Sequence, residues 1–149
     1  MKKLLLFLFA MLTICSCDVI DDDGRWERMK WEKTDYPTVK VGNTEYINVP
    51  VEGGTYIFHC INYQGFWLSD MWFEKDGTQW HSYDEHHDDP DYERDFEHYF
   101  SEWIDVKAKR DGVLEVVFQP NTGAERKAGV GVTAGDIFDT FSFVQSAGE

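Results

Sequence analysis

Apolar runs separated by turn signals recur along the chain, and in one of them apolar positions alternate with bare ones at a period of two. In "AGVGV", Ala128, Val130 and Val132 alternate with Gly129 and Gly131, so one face of the segment is apolar and the other nearly bare. A bare glycine face lets a neighbouring aromatic ring lie against the backbone. "TYIFHCI" from Thr55 to Ile61 and "VLEVVF" from Val113 to Phe118 are short runs rich in β-branched and aromatic residues. Turn signals separate the runs: Glu52-Gly53-Gly54, Asp76-Gly77, Asp111-Gly112 and Ala134-Gly135-Asp136. Asp-Gly suits a two-residue hairpin because both positions tolerate positive φ. Short strands with regularly placed turns predict an all-β antiparallel sandwich, and nothing supplies the crossover helices of an α/β fold.

One segment follows a different period. Tyr92, Phe96, Tyr99 and Trp103 fall at spacings of four, three and four, which is the apolar stripe of a helix. Pro90 after Asp88-Asp89 suits its first turn, with an aspartate cap and carboxylates near the positive end of the dipole. The sequence therefore predicts a short helix inside an insertion spanning about residues 76–102. Residues 25–36, with Trp26, Met29 and Trp31 among charges, fit either an edge strand or a linker docking its tryptophans.

The N-terminus has another character. Lys2 and Lys3 precede an apolar run from Leu4 to Leu12, the layout of a secretory signal, and the run is too short for a permanent span. Cys17, with Ser16 before it and Ile14 three residues upstream, resembles the lipobox of bacterial lipoproteins. That resemblance implies cleavage before Cys17 and acylation of its thiol and amine. Cys15 competes less well, because Ile14 is too bulky for the cleavage position. The following "DVIDDDG" is similar to an export signal to the outer face of the outer membrane, and as a solvated tether it would equally hold a domain off the membrane. The expected organisation is a signal in residues 1–16, a lipidated tether in 17–36 and one domain in 37–149.

Charge and cysteine count narrow the partners. The chain carries 14 Lys+Arg against 28 Asp+Glu, a formal −14, and removal of Lys2 and Lys3 leaves 12 against 28, or −16. Such a protein is repelled by phosphate backbones, which excludes nucleic acid as a partner. With Cys15 removed and Cys17 acylated, Cys60 has no partner for an intrachain disulfide. It reads as a small buried hydrophobe.

Several segments together resemble the BACON family of immunoglobulin-like domains, found in secreted and surface proteins of glycan-degrading gut bacteria. They are "WIDV" at Trp103–Val106, "VLEVVF", "PNTGAER" from Pro120 to Arg126, "AGVGV", "FSFVQS" with Gln145, and upstream "VEGGTYIFHCIN" followed by Trp67. The resemblance covers roughly residues 38–69 and 103–147. It implies an immunoglobulin-like sandwich on the cell exterior and a partner that is a glycan or mucin, or, as in spacer members, a surface protein. It carries no defined set of sugar-contacting residues.

Aromatic residues make up 16% of the chain, and sugar recognition stacks flat rings on pyranose faces with polar groups bonding the hydroxyls. Outside the expected strand cores stand Tyr63, Trp67, Trp72, Trp80 and Tyr83. Trp67 and Trp103 are assigned to the core. Trp72, Trp80 and Tyr83 flank the Asp76-Gly77 hairpin and are the candidate ligand-binding residues.

The tract from His81 to Phe100 holds four of the five histidines among carboxylates. It contains neither H-E-x-x-H nor a calcium-loop pattern; His86 and His87 are adjacent and diverge on any regular element, and Arg94 stands one helical turn from His98. Asp84, Asp88, Asp89 and Asp91 offer at most a weak calcium site, so no metal or cofactor is expected. No G-x-S-x-G occurs, and His59 and Cys60 alternate along a strand. The expectation is a non-enzymatic surface module that binds a glycan, or alternatively an interaction or spacer domain.

Overall fold

The computed structural model describes residues 27–82 and 95–148. Ten strands form two sheets: β1 Thr38–Val41, β2 Thr44–Val49, β3 Gly54–His59, β4 Trp67–Lys75, β5 Thr78–His81, β6 His98–Phe100, β7 Ile104–Lys109, β8 Val113–Phe118, β9 Arg126–Ala134 and β10 Ile137–Gln145. The larger sheet runs β1-β2-β10-β9-β4-β5 and the smaller β3-β8-β7-β6. Every pairing between these strands is antiparallel except β2 with β10.

Alternation, read from the sequence for β9, sets the inner faces of β7, β8 and β9 alike. Ala128, Val130 and Val132 of β9 are buried, as are Ile104, Val106 and Ala108 of β7 and Leu114, Val116 and Phe118 of β8. The sheets meet ring to ring: Tyr56 of β3 and Phe143 of β10 have centroids 5.6 Å apart, and Phe118 of β8 lies 5.1 Å from Phe143. Burial of these apolar faces is the main term holding the sandwich together.

The hairpins follow their turn residues. Asp76 and Gly77 both take positive φ between the paired Lys75 and Thr78, as a type I′ turn requires. The Asp111-Gly112 connection is longer than the two-residue turn expected. Lys109 pairs with Val113, which leaves three residues in the loop, and only Gly112 has positive φ. That is the three-residue hairpin with glycine in the left-handed position.

No helix occurs among the described residues, which corrects the helical reading of Phe96, Tyr99 and Trp103. His98–Phe100 is a strand, with Tyr99 opposite Val106, and Trp103 is buried just ahead of β7. The aromatic spacing arose because two inward residues, Tyr99 and Trp103, sit on either side of a tight connection in which Ser101 N–H donates to Ile104 O at 2.9 Å. A period of 3.6 and a strand pair joined by a turn leave the same mark over so few residues. Tyr92, Pro90 and the aspartates Asp84, Asp88, Asp89 and Asp91 lie outside the described residues.

The segment before β1 packs as part of the sandwich, ahead of the boundary expected at residue 37. Met29 is buried, and Trp31 forms an isolated bridge with Cys60. The Trp31 indole meets Phe141 and Phe66 edge-on, and its Nε1–H donates to Asp139 Oδ2 at 2.8 Å. Ile61 N–H donates to Lys30 O, Glu32 N–H to His59 O, and Ile57 N–H to the Tyr36 hydroxyl. The β3 edge of the smaller sheet is thereby covered from Ile57 to Ile61. Cys60 is buried and His59 exposed, as alternation along the strand requires.

A buried polar knot ties the last strand to the loops. Arg126 Nε donates to Gln145 Oε1 at 2.8 Å, and its Nη2 to the carbonyls of Gln119 and Pro120. Gln145 Nε2 donates to Gln119 O at 2.9 Å and Pro50 O at 3.1 Å. The Arg126 guanidinium lies 4.5 Å over the Trp103 ring, and burial lowers its pKa. Asn121 closes the neighbouring loop through Ala124 O, Ser146 O and Gly123 N–H.

Candidate functional site

The outer face of the larger sheet is where β4, β9 and β10 present side chains away from the core. Residues opposite each other in a ladder point to the same side, so register defines the rows. Trp67, Thr133 and Phe138 form one row, and Trp72, Gly129 and Ser142 another. Trp67 is 46% exposed and Phe138 69% exposed.

A bulge makes this possible. Leu68 pairs with Val132 and Met71 with Val130, so three residues of β4 span two of β9, with Ser69 and Asp70 in the irregularity. The extra residue reverses parity along the strand. Phe73 faces the core while Trp67, six positions earlier, faces solvent.

The glycines complete the surface. A Cβ on Gly129 would collide with the Trp72 indole, and one on Gly131 would collide with Asp70 O and Ser69 Oγ. Trp72 therefore lies flat on bare backbone, half-buried, and the bulge folds over Gly131. Beside Trp72, in register, stands His81, whose Nδ1 is 2.7 Å from Asp70 Oδ2. Lys127 Nζ donates to Glu74 Oε1 at 2.9 Å along the same face, and this bond raises the Lys127 pKa against the lowering effect of burial.

The candidate residues separate. Trp80 pairs with Phe73, so it turns inward and packs on that ring at 5.6 Å. Trp72 and Trp80 therefore sit on opposite faces of the sheet and cannot share a platform. Tyr83 and Cys17 lie outside the described residues. Tyr63 is half-buried with its hydroxyl donating to Glu27 O at 2.7 Å, and Trp103 is buried as expected. Trp67, assigned to the core from sequence, is instead the exposed ring, and Phe138 was not singled out at all. The alternation in "IFDTFSFVQ" was the available signal for Phe138, because Phe141 and Phe143 take the inner face.

Among the described residues no group of three or more His, Cys, Asp or Glu is placed to hold a metal ion. The surface presents flat rings, a carboxylate–imidazole pair and hydroxyls.

The fold and this face define a two-sheet all-β protein with an aromatic outer surface. Neither a protein-family model nor a curated protein matches the chain. A solved structure does: an NMR structure of a protein from Bacteroides thetaiotaomicron is 32% identical with a TM-score of 0.60, over 89% of this chain and 98% of that one. The chain belongs to the same family as that Bacteroides thetaiotaomicron protein.

Proposed function

We propose that the protein is a lipid-anchored surface module, acylated at Cys17 on the outer membrane and facing the exterior, whose sandwich binds an extracellular glycan without catalysis. The observation that carries this reading is the row Trp67–Thr133–Phe138, two exposed rings flanking a hydroxyl on a glycine-thinned sheet face. Exposed rings on a rigid sheet stack on pyranose faces at little entropic cost, and Asp70, His81 and Thr133 supply partners for hydroxyls.

The immunoglobulin-like, BACON-type assignment belongs to the same proposal. Its support is topological: β10-β9-β4-β5 packed against β3-β8-β7 follows the G-F-C-C′ and B-E-D order of such sandwiches. A second support is that Trp103, Arg126 and Gln145, from three separate segments of the resemblance, meet in one buried knot.

The test is affinity electrophoresis of the full chain through gels containing neutral and acidic polysaccharides. Retardation by at least one polymer, lost in Trp67→Ala, is the expected result. Migration unchanged in every gel sinks the glycan reading and leaves the interaction or spacer role.

A further inference from the structure

We infer that the Trp67–Phe138 row takes an extended, uncharged oligosaccharide lying across the strands, and rejects sulfated, sialylated and uronate-bearing glycans. This rests on the glycan reading above and adds two properties to it, length and charge.

Length follows from register. Trp67 and Phe138 both pair with Thr133, so the rings stand two interstrand spacings apart, about 10 Å. One sugar ring cannot cover both, whereas a short chain can lie on Trp67, pass the Thr133 hydroxyl and reach Phe138. The row runs perpendicular to the strands, which fixes the direction of the bound chain. Thr140 and the Ser69–Asp70 bulge, one row further on, lie beside it.

Charge follows from what surrounds the row. Residues 66–74 and 128–145 contain no lysine and no arginine, and they carry Asp70, Glu74 and Asp136, besides Asp139, which turns to the other side of the sheet and meets the Trp31 indole. The first cation on β9 is Lys127, six residues along the strand from Thr133, about 20 Å, and it is engaged by Glu74 at 2.9 Å. His81 is held by Asp70. Within these two stretches an anionic glycan would meet Asp70 and Asp136 with no lysine or arginine to offset them, in a chain of formal charge −14. Neutral hydroxyls meet no such penalty: they can donate to the Asp70 carboxylate and to the Thr133 oxygen, whose own proton goes to Gly135 O at 2.6 Å, and can exchange hydrogen bonds with Thr140.

The experiment is isothermal titration of the full chain in detergent micelles with hexasaccharides of the cellulose, xylan, mannan and N-acetyllactosamine types. Each is run with its monosaccharide and its sulfated form. The expected result is binding of at least one neutral hexasaccharide, with Kd weakened about ten-fold or more in Trp67→Ala and in Phe138→Ala, the scale of one aromatic anchor. The monosaccharide and the sulfated form should bind at least ten-fold more weakly, and Asp136→Lys should recover the sulfated form. Both rings are exposed, so unchanged thermal midpoints verify that the variants fold. Equal affinity for monomer and hexamer, or a sulfated form bound as tightly as its neutral parent, overturns the inference while the glycan reading stands. Silence from the whole panel overturns both.

Discussion

Trp67 and Phe73 share strand β4, stand six positions apart, and face opposite sides of the sheet. The two-for-three mismatch against Val130 and Val132 is what separates them. Removing one residue of the bulge would restore simple alternation. Deletion of Ser69 is expected to turn Trp67 toward the core in place of Leu68, which is almost fully buried. The misfit should cost about as much as losing a core leucine, about 2–5 kcal/mol. Urea unfolding and a blue shift of tryptophan emission would measure both effects.

That same bulge shows what the sequence could and could not disclose. Strand β9 is legible from its alternation, and β3 and β8 from short runs of β-branched and aromatic residues bounded by turn signals, and the all-β architecture follows. Trp67 was not legible, since an even spacing from Phe73 places both on one face unless a residue is inserted. Trp72 and Trp80 looked like neighbours because they flank one hairpin, yet an odd number of steps from the turn on one arm meets an even number on the other. Their partners, His81 and Phe73, decide the matter, and partners appear only once the register is fixed. The spacing of Tyr99 and Trp103 was misread for the complementary reason: two short strands joined by a turn reproduce a helical stripe.

Gly129 is the position where the outer face is most sensitive. Its missing Cβ is the space occupied by the Trp72 indole. Gly129→Ala should lift that ring off the sheet, at about 1–3 kcal/mol for a forced repacking. The expected readout is a red-shifted Trp72 emission, absent in the Gly129→Ala/Trp72→Phe double variant. An unchanged spectrum in the single variant would contradict the stacking.

Arg126 and Gln145 form a closed polar unit inside an apolar sandwich. Gln145→Ala leaves the Arg126 Nε–H without its acceptor, while the carbonyls of Pro50 and Gln119 keep Gly53 N–H and Arg126 Nη2 as donors, and one buried group left unpaired costs about 1–3 kcal/mol. Arg126→Lys keeps the charge but loses the forked geometry that reaches Gln145, Gln119 and Pro120 together. It should therefore destabilise too, where a merely electrostatic role would spare it. Chemical denaturation of the two single variants and the double variant would show strong non-additivity, the double costing clearly less than the sum.

On the smaller sheet, Asp105 accepts from His98 Nε2 at 2.8 Å and from Lys107 Nζ at 3.0 Å. Partial burial pushes its carboxyl pKa up, and the two hydrogen bonds more than reverse this, so the folded value lies below the ordinary one. A depressed folded pKa means the unfolded chain binds the proton more readily. The stabilisation is therefore present above the unfolded value of about 3.9 and lost as pH falls through the folded one. Asp105→Asn should reduce stability at pH 7 by about 0.2–1 kcal/mol, the scale of a solvent-screened pair. Because the wild type surrenders the same interaction in acid, the two unfolding curves should converge as pH falls below 3. Denaturant midpoints measured from pH 7 to pH 2 would reveal this, and a constant gap across that range would place the pair's contribution outside carboxylate ionisation.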